Sequence, residues 1–355
     1  MKKVIKIVLW ALLGLLVVFL IGGCLLFGPM VRGALSVQKL DEGLYYMEYK
    51  GDDGFDELMA NGGVRNAGEL AAHITTFLSR GFYHAPVALP DTISFGCSAI
   101  TARTPEDGVL MGRNFDFPSA TGVILHTVPK LGYETITTFN TDFFGFGEGW
   151  LPEGFSNQYM ALSCLFCALD GINEKGLAIA DLMAGDNEQT HQQTGKLPLT
   201  TSTAISYLLK NAATVDEALE LLRHIDMHSD IGAAHHYAIS DASGRSVVVE
   251  YVDNKMVVVE SPAVTNHYLC SAKRNVGLVP GDRRYEQLCE RLAAGGGKMD
   301  WGQLESAICS VSQPGQEGYL GTAWTMVMDL AHPSVTYYAR RHFDQPFYFP
   351  LTRRD

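Results

Sequence analysis

A thiol with a cation and a carboxylate arriving from the next strand is an arrangement for chemistry rather than for packing. The stretch Phe95-Gly96-Cys97-Ser98-Ala99-Ile100-Thr101-Ala102-Arg103 reads as one short strand. Val109-Leu110-Met111-Gly112-Arg113-Asn114-Phe115-Asp116 reads as a second, and Thr104-Pro105-Glu106-Asp107-Gly108 between them is a turn. The hairpin returns Arg113 and Asp116 beside Cys97. A cation favours the thiolate, the reactive form of the side chain. A carboxylate can hold an ammonium group, and the one that fits here is the α-amine of Cys97, exposed once the Gly96–Cys97 bond is cut. That amine, with an ordinary pKa of about 7.7–8.0, can serve as the thiol's own base. Gly96, lacking a side chain, leaves its carbonyl open to the thiol. An inert buried cysteine with a surface ion pair is the plain alternative.

This pattern resembles the N-terminal-nucleophile hydrolases, specifically the choloylglycine hydrolase (bile salt hydrolase, penicillin V acylase) and acid ceramidase-like group. The resemblance continues in Asp170-Gly171-Ile172-Asn173-Glu174-Lys175-Gly176-Leu177, in His236–Asp241 through Ser246–Glu250, in Thr265-Asn266 and in Arg284-Tyr285. It implies a linear amide C–N hydrolase with Cys97 as nucleophile. Arg113 would stabilise the thiolate and Asp116 would hold the α-ammonium. Asn266 would be an oxyanion donor and Arg284 the late catalytic arginine, with Arg283 as its rival. No cofactor and no metal are implied. The family's bile salt hydrolases carry a second active-site Asn where this chain has Met183, so only the Met183 backbone N–H is left as an oxyanion candidate and bile salts are expected to be poor substrates. Ser98 stands where relatives often have Thr.

The elements that must position these residues alternate in type. Strands are expected at 97–103, 108–114, 121–128, 134–140 and 177–184, then helices at 199–212 and 215–225, the second opened by a Thr214-x-x-Glu217 capping box. A hairpin follows at 236–240 and 246–252, then helices near 282–294 and 300–312, then strands at 323–330 and 335–340. This order indicates an α+β domain with antiparallel sheets. The resemblance sharpens it to the four-layer αββα sandwich of N-terminal-nucleophile hydrolases. Residues 34–96 read as a prosegment with a strand at 43–49, a helix near 67–82 and a Pro-containing link at His84–Leu89. Residues 97–355 are the catalytic domain.

Residues 1–33 read as a membrane anchor. Lys2, Lys3 and Lys6 precede an uncharged run from Ile7 to Phe27, and about 20 apolar residues span a bilayer. The basic flank predicts a cytoplasmic N-terminus and an extracytoplasmic domain. A lipoprotein site at Cys24 and a cleaved signal peptide are the alternatives. The net charge of -12 argues against a nucleic-acid partner. Cys164 and Cys167 have redox spacing, but their apolar surroundings read as buried strand or strand-edge thiols. His235 and His236 are adjacent, so a strand would point them to opposite faces, away from a shared metal. Phe143-Phe144-Gly145-Phe146-Gly147-Glu148-Gly149-Trp150 reads as an aromatic loop, either lining an acyl pocket or lying on the surface. The partner is thus a small amide substrate, with self-association into a homo-oligomer left open. An acyltransferase, a dipeptidase and a non-catalytic surface module are the rival functions.

Overall fold

The computed structural model describes residues 2–82, 96–147, 149–230 and 232–352, without the side chains of Lys2, Val4, Ile5, Ile7, Val8, Leu16, Phe19 and Leu20. The link expected at His84–Leu89 lies outside the described residues. Helix α1 (Lys2–Leu35) leads into strands β1 (Gln38–Asp41) and β2 (Leu44–Gly51), then α2 (Phe55–Ala60) and α3 (Ala67–Leu78). Strands β3 (Gly96–Arg103), β4 (Val109–Phe117), β5 (Gly122–Pro129) and β6 (Thr135–Asn140) follow. Next come α4 (Phe155–Met160), β7 (Asp170–Asn173), β8 (Ala178–Met183), β9 (Leu197–Thr200), α5 (Thr201–Asn211), α6 (Val215–Arg223) and β10 (Ile225–His228). Strands β11 (His235–Ser240), β12 (Ser246–Val252), β13 (Lys255–Glu260) and β14 (Ala263–Val264) precede α7 (Arg284–Ala294) and α8 (Trp301–Ser310). The described chain closes with β15 (Gly321–Asp329), β16 (Ser334–Ala339) and β17 (Phe347–Pro350).

Among the described residues the strands form a nine-stranded sheet in the order β1-β2-β5-β6-β7-β8-β11-β12-β13 and a six-stranded sheet in the order β14-β3-β4-β15-β16-β17. The two sheets face each other through Arg113–Asp170, Trp324–Asp170, Thr138–Tyr337 and Thr101–Ser240 contacts. Helix α5 covers β7 and β8, while α7 and α8 cover β3, with α8 also on β4 and β15. Helices therefore lie outside both sheets, as the α+β reading expects. Strand β4 is buried at every position, since it is covered on both faces. One correction concerns pairing. The sheets are not wholly antiparallel: β2 runs parallel to β5, in register from Leu44–Gly122 to Gly51–Pro129. A separate two-stranded pair, β9 with β10, is also parallel.

The parallel pair changes how the N-terminal segment is seen. Leu44, Tyr45, Met47 and Tyr49 of β2 are core residues, as are Met30 and Ala34 near the end of α1. The buried Lys210 Nζ on α5 donates to Asp53 Oδ1 at 2.9 Å. The expected anchor run falls within α1, whose described residues are not contiguous in side chain. Among the described residues no helix is long and apolar enough to cross a membrane. Cys164 and Cys167 are buried, Cys164 in a short 3₁₀ turn (Ala161–Phe166) and Cys167 in extended backbone directly after it, with neither in a paired strand. That run is buried on all sides, so it carries no periodicity from which to separate strand from helix. At α6, Thr214 Oγ1 accepts the Glu217 N–H at 3.2 Å, and the Glu217 carboxylate reaches the Ala213 N–H rather than that of Thr214.

Candidate active site

The β3–β4 hairpin sets the geometry. The turn closes with Thr104 N–H donating to Gly108 O and Gly108 N–H to Thr104 Oγ1. The register then pairs Gly96 with Asp116, Cys97 with Phe115, Ser98 with Asn114 and Ala99 with Arg113. Strand alternation sorts these residues by face. Cys97 and Arg113 point between the two sheets. Gly112, Asn114 and Asp116 point outward to the helical layer. A methyl at Gly112 would lie 3.0 Å from Ile308 Cβ, so glycine lets α8 approach β4 closely. Asn114 Nδ2 donates to the Ile308 carbonyl at 2.8 Å and to Ser98 Oγ at 3.2 Å. Residues 112–116 are therefore a helix-docking seam on one face and place a buried cation beside Cys97 on the other.

Arg113 is fully buried and spans the sheets. Its Nε lies 2.9 Å from Asp170 Oδ2 on β7, and its Nη2 donates to the Asp181 carbonyl on β8 at 2.9 Å. Burial pushes the Cys97 thiol up to about 11, and the Arg113 guanidinium bonded to it pulls the other way. In the uncut chain the thiol is thus neutral at pH 7. Burial also lifts the Asp170 carboxyl, against the attraction of Arg113.

On the outer face, Arg284 at the start of α7 gathers the second set. Its Nη1 donates to the Cys97 carbonyl at 3.1 Å and to Asp116 Oδ2 at 3.1 Å, and its Nη2 to Asn266 Oδ1 at 3.2 Å. Asp282 holds this guanidinium from below at 2.8 Å. Arg283, the rival arginine, instead pairs with Glu290 on the surface. Asn266 Oδ1 accepts the Cys97 N–H at 2.5 Å, and its Nδ2 donates to the Met183 carbonyl at 3.1 Å. In the uncut chain the Asn266 N–H is therefore engaged by Met183. Thr322 Oγ1 donates to Asp116 Oδ1 at 2.5 Å. Cys97, Arg113, Asp116, Asn266, Arg284 and Met183 thus meet at one place.

Residues 97–267 match the model of the linear amide C–N hydrolases, choloylglycine hydrolase family. Over that segment the chain is similar to this family. A penicillin V acylase of Pectobacterium atrosepticum is 36% identical over 103 residues, which are 26% of this chain and 27% of that protein. The chain thus matches only about a quarter of that curated relative's length. The structure of penicillin V acylase from Agrobacterium tumefaciens superposes with a TM-score of 0.51 at 19% identity, covering 72% of this chain and 87% of that one. A mutant of the conjugated bile acid hydrolase from Clostridium perfringens gives 0.51 at 16% identity, covering 73% and 93%. At these identities the likeness shows a shared fold.

Several residues around Cys97 escape a sequence reading. Asp170 opens a segment singled out only for its family resemblance, yet it is the buried counter-ion of Arg113. Asp181 holds His235 Nδ1 at 2.9 Å, and Glu250 lies 3.5 Å from His236 Nδ1. The two histidines do point apart, each to its own carboxylate. Glu250 also accepts the N–H groups of Leu269 and Cys270, which ties down the chain just after Asn266. Among the described residues no group of His, Cys, Asp and Glu is placed to hold a metal. In the aromatic loop, Phe143 is a buried anchor against Phe117 and Phe139. Trp150 and the loop glycines line a cleft of about 1170 Å³ whose far wall is Gly315–Leu320.

Two glycines predict opposite outcomes. Gly96 has no positive φ, and a methyl there would meet Asp116 and Tyr319 only at 3.4–3.5 Å, an ordinary contact. Space does not demand this glycine, so Gly96→Ala should fold and keep wild-type thermal stability. Gly185, two residues after Met183, has φ +85, and a methyl would lie 2.3 Å from the Asn266 carbonyl oxygen. Gly185→Ala must displace Asn266 and should cost about 1–3 kcal/mol. Thermal unfolding of both variants checks the pair.

Asp116 predicts a pH dependence. Burial raises its carboxyl to about 6, with Arg284 pulling down. Its folded pKa lies above the ordinary value, so its stabilising contribution is full at pH below 4 and is lost as pH rises through 6. A role as the holder of a cation runs the other way, because only the carboxylate can do it. Turnover should therefore fall on acidification as this carboxyl protonates, at a pH that the new α-ammonium holds below that of the uncut chain, while the thermal stability of the uncut chain gains from this group; a pH–rate profile of cut enzyme set beside a pH–stability profile of the Cys97→Ala chain reads both.

Proposed function

We propose that this chain is an N-terminal-nucleophile cysteine amidohydrolase that cuts its own Gly96–Cys97 bond and then hydrolyses a linear N-acyl amide. The observation that carries the reading is the convergence on one residue. The Cys97 side chain meets Arg113, while its backbone N–H and carbonyl meet Asn266 and Arg284. An inert core cysteine needs none of these.

In self-cleavage the thiol sulfur attacks the Gly96 carbonyl carbon, the C–N bond breaks, and the departing nitrogen takes the thiol proton to become the new α-amine. Water then releases the Gly96 carboxylate and restores the thiol. In turnover the α-amine takes the thiol proton and passes it to the leaving amine. Asp116 holds the α-ammonium by a charge-assisted bond, and Arg113 favours the thiolate. The Asn266 amide, released from Met183, and the Met183 N–H serve the oxyanion. Intact-mass and N-terminal analysis of purified protein tests the first step. Pieces comprising residues 1–96 and 97–355 are expected, and active protein that is wholly uncut refutes the mechanism. A screen of N-acyl amides, penicillin V and conjugated bile salts tests the second.

The N-terminal piece should stay bound after cutting. Strand β2, the C-terminal end of α1 and the Lys210–Asp53 pair embed it in the core of the rest. The two pieces should co-elute in gel filtration and separate only in denaturant. We further propose that α1 anchors the enzyme in a membrane with the domain outside the cytoplasm. Trp10, Leu15 and Leu25 are 71%, 69% and 76% exposed, whereas Met30 and Ala34 are buried against the domain. Such a row of uncovered apolar side chains calls for a cover. Retention in the membrane fraction after alkaline carbonate washing is the expected result.

A further inference from the structure

We infer that Tyr319 positions the water that resolves the acyl-enzyme, an inference resting on Cys97 as the nucleophile. The residue is placed at the scissile position. A methyl built on Gly96 would lie 3.5 Å from the Tyr319 hydroxyl and 3.4 Å from Asp116 Oδ2. When the Gly96 end departs, the space beside the new α-amine is bounded by this phenol, by Asp116 and by Arg284. Two clefts meet at the same side chain. One is the cleft behind the aromatic loop, and the other, of about 590 Å³, is lined by Gly96, Asp282, Arg284, Gln287 and Gln313; Tyr319 lines both.

The turn that carries Tyr319 is rigid. Gln316 and Tyr319 exchange backbone hydrogen bonds at 2.8 and 2.9 Å, and Leu320 N–H donates to Pro118 O at 2.9 Å. Gln313 N–H donates to Thr322 Oγ1 at 2.7 Å, and Thr322 is the residue that grips Asp116. The turn and the catalytic carboxylate are therefore fixed to each other. No hydrogen bond among the described residues engages the Tyr319 hydroxyl. Burial raises its pKa to about 12, beside Asp116 and Cys97, so the phenol keeps its proton. A neutral hydroxyl with spare capacity, held at the mouth of two clefts, suits a small polar guest.

The step balances without another reactant. Water oxygen attacks the thioester carbon, one water proton passes to the Cys97 α-amine, and the C–S bond breaks. The thiolate recovers that proton and the acyl group leaves as a carboxylic acid. Tyr319 accepts a hydrogen bond from the second water O–H, which aims the first at the amine. Acylation uses no water and does not need this contact.

Tyr319→Phe removes only the hydroxyl. With phenylacetyl and decanoyl p-nitroanilides as probes and hydroxylamine as competing acceptor, three readouts separate the outcomes. The variant should release the first equivalent of p-nitroaniline at the wild-type rate but turn over about tenfold more slowly, the worth of one lost hydrogen bond. The thioester should accumulate as a mass adduct on the piece beginning at Cys97, and the hydroxamate-to-acid ratio should rise. Wild-type thermal unfolding shows that the variant is folded. An unchanged ratio with no adduct overturns the role of Tyr319 and leaves Cys97 untouched. A Cys97→Ala protein that still releases p-nitroaniline overturns the reading beneath it.

Discussion

Cys97→Ala should yield one uncut chain without amidase activity. In the proposed mechanism the self-cleavage step and the turnover step use the same sulfur, and among the described residues no second thiol is placed to replace it. Cys164 and Cys167 sit in and directly after the buried 3₁₀ turn, Cys270 lies beyond the Asn266 loop, and Cys289 and Cys309 are on the outer helices α7 and α8. The substitution removes a buried side chain but leaves Arg113 paired with Asp170, so folding should survive. Denaturing electrophoresis reads the missing cut, and the amide screen reads the missing turnover. Residual cleavage at Gly96–Cys97 in this variant would assign the attack to another group. Cys97→Ser makes the comparison finer, because a hydroxyl is a weaker nucleophile at the same position and should slow both steps without abolishing them.

Arg113→Leu should destabilise the fold by about 3–5 kcal/mol, because it leaves the Asp170 carboxylate buried with no cation. Both side chains are 0% exposed in this pair. The Trp324 indole N–H would remain on Asp170 Oδ2, at 2.9 Å, together with the Thr138 hydroxyl, and neither carries a charge. The same change deprives the Cys97 thiol of its cation, which should push its pKa higher still. Chemical denaturation in a Cys97→Ala background keeps the chain in one piece and isolates the stability effect. Adding Asp170→Asn should recover part of the loss, since it removes the stranded charge. If Arg113→Leu alone unfolds at the parent denaturant midpoint, the pair is not a support of the fold.

How much of this was legible follows from how far apart the partners lie in the chain. Cys97, Arg113 and Asp116 were legible together because a single tight turn sets their register. The pleat then puts Asp116 on the face opposite Cys97 and Arg113, which the simple picture of a thiol flanked by two charges misses. Asn266 and Arg284 were legible through the family resemblance alone; on local pattern each reads as a turn or a solvated helix residue. Asp170, Thr322 and Tyr319 were not legible. Each acts through a contact made only when the sheets stack or β15 pairs with β4, and nothing in the nearby sequence marks it. The Met183–Asn266 contact likewise depends on Gly185 and Gly277 meeting backbone to backbone, a closeness that two isolated glycines do not announce. Strand β2 was legible as a strand, but its parallel partner lies on the far side of Cys97. Periodicity cannot show such a pairing.

That parallel pairing has a kinetic consequence. Strand β2 and strand β5 lie on opposite sides of the Gly96–Cys97 bond. Before the cut, bringing them together closes a loop within one molecule. After it, the same contact joins two molecules, and reassembly depends on concentration. A cut enzyme that loses its N-terminal piece therefore exposes the flank of β5 and has no tethered strand to restore it. Its working lifetime is set by the rate at which β2 peels away rather than by an equilibrium, so maturation would turn a reversible folder into a protein used once.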